Sequence, residues 1–360
     1  MKRIFRAALC FLPFILFVIG VNFYADPANV LRVGYEKSVA EIMASGKNVS
    51  NIRNMDDRLF IREYVRLRRQ PVDTLVLGSS HSMQVTSELT GDPNTFCAGV
   101  TGADLRDCIS IYRLFREQLG APKRVVLTVD CWFFSEGTLE GRAMTDGYEA
   151  FCRENGFSPL GVDGGTSFVQ KIEKLSQAVS LPYFQSSVDF LRRGLDKTRN
   201  PVPTRDFYSE TDMRRADGSY CYNAALRDIT PEKAVSIALP YIIVKPDFAT
   251  NFNGISDNLS VQLEAFVAEL KEDGVEVALM LAPFQNDYYD YMKAQTDNYR
   301  EILFTEQIVR DIAARVGVRV FGSYNPYECG LTRMDFYDGL HCSDTAMYSF
   351  YPDDLFVSEG

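Results

Sequence analysis

The chain has 360 residues, 46% of them hydrophobic and 24% charged, a balance that fits one large domain, or one domain with a sizeable insertion, and excludes a disordered chain. Its formal net charge of -10 leaves no basic footprint, so nucleic acid is not an expected partner.

At the N-terminus, Lys2, Arg3 and Arg6 precede an apolar run from Ala7 to Phe23 that is broken only by Asn22. Such a run sits at the short end of what crosses a bilayer. The basic flank places the tail in the cytoplasm and the bulk of the chain outside. A cut after Ala25 would need a small side chain where Phe23 stands, so the run reads as an uncleaved single-pass anchor over residues 1–24. Eight cysteines occur, with Cys10 in the anchor and no Cys-x-x-Cys pair. One or two disulfides fit an extracytoplasmic domain, and most of the cysteines read as small buried apolar residues.

Residues 25–70 read as a membrane-proximal helical segment. Its second half, Asp56 to Arg69, carries Leu59, Phe60, Ile61, Tyr64, Val65 and Leu67 at helical spacing. Arg58, Arg62, Arg66, Arg68 and Arg69 read as its solvated face, with lipid headgroups as the alternative. From residue 71 to 360 the pattern is that of a main domain. Val72 to Leu77 is a short apolar run ending at Gly78, as in a buried strand. Ala103 to Gln118 is an amphipathic helix stopped by Gly120-Ala121-Pro122, and Arg124 to Val129 is a second buried strand. Leu259 to Leu270 predicts a helix, Val275 to Leu281 a strand, Ile308 to Val316 a helix, and Val318 to Phe321 the last strand. Alternating strands and helices imply an α/β fold, a three-layer α/β/α sandwich around a parallel central sheet, with its site at the carboxyl ends of the strands. The stretch from about 145 to 247 breaks the alternation. It holds a helical part, Ser167 to Leu195 interrupted at Pro182, and a loop from Asn200 to Tyr222, and reads as an insertion near the mouth of the site.

The chain contains two histidines, His81 and His341, each inside a compact cluster. Leu77-Gly78-Ser79-Ser80-His81-Ser82 follows the first buried strand. A strand-to-helix turn of this kind exposes a hydroxyl and leaves backbone N–H groups free for a developing oxyanion; the plainer reading is helix capping by the serines. Tyr337-Asp338-Gly339-Leu340-His341 follows the last strand. A serine hydroxyl needs an imidazole base, and the imidazole needs an acceptor on its other nitrogen, which Asp338 can supply within one turn.

Together these two clusters resemble the first and last sequence blocks of the SGNH (GDSL-like) hydrolase superfamily. In that family Gly-Asp-Ser carries the nucleophile, and Asp-x-x-His completes the triad. Gly-Ser-Ser here stands for Gly-Asp-Ser, and the resemblance implies Ser80, His341 and Asp338 as catalytic residues. Phe96-Cys97-Ala98-Gly99-Val100-Thr101-Gly102 is similar to the second block, which implies an oxyanion hole formed by Ser80 and Gly102. The third block, Gly-x-Asn-Asp, is missing: Thr128-Val129-Asp130-Cys131-Trp132 stands in its place. An ionised carboxylate cannot donate a hydrogen bond to an oxyanion. Asp130 is left either to orient a substrate hydroxyl or to cap the following turn. His81 and Trp132 are further candidates for substrate contact, weighed against structural roles. Trp132 with Phe133 and Phe134, like Tyr288 and Tyr289, can stack a sugar or pack the core. Cys329, His341 and Cys342 lack zinc spacing, so no metal and no cofactor is expected.

The Gly-Ser-Ser variant, the anchor and Phe23-Tyr24-Ala25-Asp26-Pro27 are similar to the membrane-anchored branch that contains alginate O-acetylation proteins and the D-alanyl transfer protein of teichoic acid synthesis. Gly274 to Val277 leading to Ala282-Pro283-Phe284 is similar too. The resemblance implies an extracytoplasmic esterase or O-acyltransferase acting on acyl groups of a cell-surface glycan, with a multi-span membrane acyltransferase as donor partner. The alternative is a catalytically silent SGNH-like protein that binds glycan or scaffolds a cell-envelope complex.

Overall fold

The computed structural model describes residues 2–162, 176, 178–194 and 200–356, with side chains from residue 11 onward. Its centre is a five-stranded, wholly parallel sheet built from β2 (Thr74–Leu77), β3 (Thr95–Cys97), β4 (Arg124–Thr128), β8 (Glu276–Leu281) and β9 (Arg319–Gly322), in the order β3-β2-β4-β8-β9. The chain is thus α/β, as its alternating pattern predicts. Four strands were legible as apolar runs because both faces of the sheet are covered and successive side chains are all buried. In β2 all four residues are buried. Leu75, Leu77, Val125, Leu127, Leu279 and Leu281 point to one side, into the main core. Val76, Val126, Ala278, Met280 and Phe321 point to the other, a smaller core completed by Val85, Leu331, Phe336, Met347 and Leu355.

Helices supply much of the main core, among them α4 (Leu105–Leu119), α7 (Asp257–Glu272), α8 (Asn286–Ala294) and α9 (Thr296–Val316). Each starts or stops where local chemistry dictates. The Asp104 carboxylate accepts from Arg106 N at the start of α4, and Ser256 Oγ accepts from Leu259 N at the start of α7. Gly317, at φ 67°, ends α9 in the left-handed conformation that glycine adopts without strain. The opposite face of the sheet carries short helical turns instead, among them 333–335 and 344–347.

The stretch between the N-terminal apolar run and the sheet differs from the expected all-helical segment. It contains α2 (Tyr35–Ala44) and α3 (Asp57–Leu67), but also β1 (Asn48–Ser50). This strand pairs with β5 (Val202–Thr204) and β6 (Met213–Arg214), and β6 pairs with β7 (Tyr220–Cys221), giving an antiparallel sheet in the order β5-β1-β6-β7. Strands of two or three residues leave no readable periodicity, which is why 200–222 reads as loop in sequence. Of the arginines on and just after α3, Arg66 and Arg69 are exposed, as the solvated reading expects, whereas Arg58 is buried. Arg58 forks onto both oxygens of Asp107, Arg62 reaches Asp146, and Arg68 bonds Tyr64 Oη and Asn94.

Helix α5 (Asp146–Asn155) lies against α4, where Ser110 Oγ donates to Met144 O and accepts from Tyr148 N. Of the helix expected over 167–195, residues 167–175, 177 and 195 lie outside the described set. The described part, α6 (Leu181–Arg192), holds Pro182 in its first turn, where the missing N–H costs nothing. Helix α1 (Lys2–Ala25) includes the apolar run and packs on α6: Phe17 meets Phe184 edge-on, and Asn22 Nδ2 donates to Ala178 O while its Oδ1 accepts from Ser187 Oγ. Among the described residues no helix is long and apolar enough to cross a membrane. Seven cysteines are buried and unbridged, from Cys97 to Cys342, and the Cys10 side chain lies outside the described set.

Candidate active site

The carboxyl ends of β2, β3 and β4 deliver the first group of side chains. After β2 the chain enters a 3₁₀ turn, Ser80–Ser82, whose N-cap Ser79 accepts from His81 N. This cap turns Ser80 outward at the sheet edge. The segment after β9 delivers the second group. Phe336 and Cys342 form an isolated bridge, Tyr337 N donates to His341 O, and the loop between them is pulled tight. Inside it the Asp338 carboxylate accepts from Leu340 N at 2.7 Å and His341 N at 2.9 Å, which folds the imidazole back onto the same carboxylate.

These two groups meet. Ser80 Oγ lies 2.8 Å from His341 Nε2, and His341 Nδ1 lies 2.9 and 3.0 Å from the two Asp338 oxygens. Burial works against charge on Asp338, but the neighbouring imidazole and the two backbone N–H groups outweigh it and hold the carboxyl well below the usual carboxylate range. An ionised Asp338 accepts a hydrogen bond from Nδ1–H, so the lone pair of Nε2 faces the serine hydroxyl. The arrangement can remove a proton from Ser80 as it attacks an electrophile.

Ser80, His81, Gly102, Trp132, Leu139, Glu140, Asp247, Phe248 and Asn251 line a cleft of about 430 Å³. No bond within the described residues occupies the backbone N–H of Ser80 or of Gly102. Gly102 sits at φ 63°, which sets its N–H apart from the preceding turn.

Asp130 departs from both roles expected of it. It precedes the turn Cys131–Phe134 but makes no side-chain cap there, and it is 1% exposed and does not line the cleft. Its Oδ1 lies 2.7 Å from His81 Nδ1 instead. His81, next to the serine, thus forms a second buried Asp–His pair, and its ring stands edge-to-face against that of His341 at 5.2 Å. Trp132 packs as the core reading expects and also lines the cleft. Its Nε1 donates to Ala103 O and its ring packs on His81 and Phe248, while its edge reaches the cleft. Phe133, Phe134 and Tyr288 are buried in the core, and Tyr289 packs beside Tyr327 away from the cleft. Among the described residues no group of three or more His, Cys, Asp or Glu could hold a metal ion.

Two tyrosines that sequence reasoning did not single out contact the triad loop. Tyr222 packs on Tyr337 and His341, at 5.2 and 5.9 Å between ring centroids. Tyr241, in the short helix 239–243, covers Gly339. A Cβ on Gly339 would lie 2.5 Å from Tyr241 Cδ2, and 2.8 and 3.0 Å from the adjacent ring carbons. Burial first, and the Asp338 carboxylate second, push both phenols up, so each stays protonated beside the triad. Neither position carries a local motif; each becomes visible only once the chain between β4 and β8 is folded against the loop. Gly339→Ala is therefore expected to displace the Asp338–His341 loop and lower kcat about 100-fold, the usual scale for a misplacement near 1 Å. An ester-turnover assay of the folded variant checks this, and full turnover would show that the tyrosine gives way instead.

A comparison with protein-family models and with curated proteins found no match.

Proposed function

We propose that the protein is a serine-dependent esterase or O-acyltransferase of the SGNH type. The single observation that carries this reading is the Ser80–His341–Asp338 chain of contacts, assembled across more than 250 residues of sequence at the carboxyl ends of the strands. In chain order the five parallel strands run 2-1-3-4-5, a flavodoxin-like order that places a site beside its first strand, where Ser80 stands. Ser80 Oγ adds to an acyl carbonyl carbon as its proton passes to His341 Nε2. The Ser80 and Gly102 N–H groups receive the charge that gathers on the carbonyl oxygen. The intermediate collapses, the bond to the leaving oxygen breaks as that oxygen takes the proton from His341, and the acyl group then passes from the serine to water or a sugar hydroxyl, which gives its proton to His341.

The cleft indicates which acyl compounds fit. Glu140 and Asp247 line it, and among the described residues no lysine or arginine does. A neutral or cationic acyl-bearing unit suits that field better than a polyanion. The polar wall and the Trp132 edge accord with a glycan, and a cell-surface polysaccharide is the substrate class we propose. The extracytoplasmic location and the membrane tether are proposed on the basic flank and the apolar run from Ala7 to Phe23, and a multi-span membrane acyltransferase is proposed as donor on the resemblance alone.

A fluorophosphonate probe tests the reading. The wild-type protein is expected to label covalently, and Ser80→Ala to lose labelling while keeping its fold. An unlabelled, well-folded wild type would favour the silent scaffold instead.

A further inference from the structure

The insertion lays α6 against the N-terminal apolar run, and the contact falls inside that run rather than beyond its end. Resting on the membrane tether proposed above, and independent of the hydrolase chemistry, we propose that the start of α6, at Val179 and Leu181, is a lipid-contact surface that seats the domain on an anionic bilayer.

Helix α1 leaves a long apolar surface uncovered. Phe11, Leu12, Phe14, Ile15, Leu16 and Phe17 are all exposed, and a patch of that kind marks an interaction surface. Val18, Asn22 and Ala25 are buried instead, at steps of four and three residues along one stripe. Asn22 is the polar residue of the run, and an amide without partners is costly in hydrocarbon. The segment around α6 supplies those partners. Asn22 Nδ2 donates to Ala178 O at 3.0 Å and to Ser180 O at 3.3 Å, and its Oδ1 accepts from Ser187 Oγ at 3.0 Å. The run thus enters an apolar layer with its one amide satisfied only if this segment goes with it.

Depth gives the second argument. Phe17 meets the Phe184 ring at 5.9 Å. Phe17 stands six residues before Phe23, which is about 9 Å along a helix. Lipid around the run therefore brings the first turns of α6 to the bilayer surface, for a helix that crosses and for one that enters a single leaflet alike. The side chains presented there suit it. Val179 and Leu181 are each 54% exposed, and Ser180 between them spends its hydroxyl oxygen on Tyr183 N. Phe23 and Tyr24 are exposed too, an aromatic pair of the kind that favours the membrane–water boundary. At the far end of α6, Arg192 and Arg193 are exposed against one exposed acid on the helix, Asp189. A chain of net charge -10 is repelled by an anionic surface, so a local excess of arginine decides which face approaches it. The junction is braced. Tyr183 Oη donates to the Asp26 carboxylate, which also accepts from Val30 N, Leu31 N and Arg32 N, and so ties the exit of α1 to α6.

The test reconstitutes the full chain in vesicles of phosphatidylethanolamine and phosphatidylglycerol. The cysteines from Cys97 to Cys342 are buried, so in a Cys10→Ser background one introduced surface cysteine can carry a nitrobenzoxadiazole dye. The dye on Leu181→Cys is expected to shift to the blue and to lose most of its emission to lipid spin-labelled near the headgroup. The dye on Val261→Cys, in α7 and 51% exposed, is expected to do neither. Val179→Cys replaces Leu181→Cys if that variant fails to fold. Equal quenching at positions 181 and 261, in protein that floats with the vesicles, overturns the proposal and leaves the tether standing. Protein that does not float with the vesicles overturns both, while probe labelling at Ser80 still decides the hydrolase reading. Exchanging the anionic lipid for phosphatidylcholine is expected to lessen quenching at position 181, and undiminished quenching would overturn the part given to Arg192 and Arg193.

Discussion

Replacing His341 by alanine is expected to lower ester turnover about a million-fold, the loss measured when the base of a serine hydrolase triad is removed. The reason is geometric. The Ser80 hydroxyl has its imidazole partner at 2.8 Å, and His81, the other histidine, is engaged with Asp130. Asp338→Asn is expected to cost about 10⁴-fold, because an amide there no longer fixes the proton on Nδ1. The pH behaviour follows from Asp338. Its carboxyl is held below the usual range, so what it contributes to stability is fully present above ordinary carboxylate values and is lost only as the pH falls towards its lower folded value. Mild acid therefore leaves Asp338 ionised and its hold on His341 Nδ1 intact. Turnover within tenfold of wild type in folded His341→Ala would remove the imidazole from the mechanism.

The site was legible in sequence to the extent that each part of it is local. Ser80 is announced by a buried strand and a run of small residues, and Asp338 and His341 by a three-residue step that one loop can close. The sheet was legible for a similar reason, because a strand covered on both faces has no polar residue to interrupt it. What stayed hidden depends on partners distant in sequence. Asp130 looked like a failed oxyanion donor until the fold put it against His81, which is 49 residues away. Arg58 looked like a solvated cation until Asp107 arrived beneath it. Strand β3 is only three residues long and was read as a motif rather than as a strand. The small antiparallel sheet joins β1 to strands more than 150 residues downstream, which no window of periodicity can show.

That small sheet has a consequence for the loop 99–102, and it gives the second large effect. Arg214, on β6, is fully buried between the rings of Phe60 and Tyr220. Its guanidinium donates to Asp57 Oδ1 at 2.6 Å, to Gly218 O at 2.7 Å and to Gly99 O at 3.2 Å. Asp57 in turn accepts from Thr101 N and Thr101 Oγ, at 3.0 and 2.8 Å. One ion pair thus holds residues 99–101, the approach to Gly102. Arg214→Leu leaves Asp57 charged and buried without its partner, and is expected to destabilise the fold by about 3–5 kcal/mol, read as a drop in the urea midpoint. That is a large part of the stability of an ordinary domain. Asp57→Leu combined with Arg214→Leu is expected to recover part of the loss, because no charge is then stranded, although Thr101 still lacks its acceptor. At temperatures where both variants stay folded, kcat should fall in the two alike, since Gly102 N–H is no longer held in place. A midpoint for Arg214→Leu matching that of the wild type would mean that water reaches Asp57 and that the pair does not brace the loop.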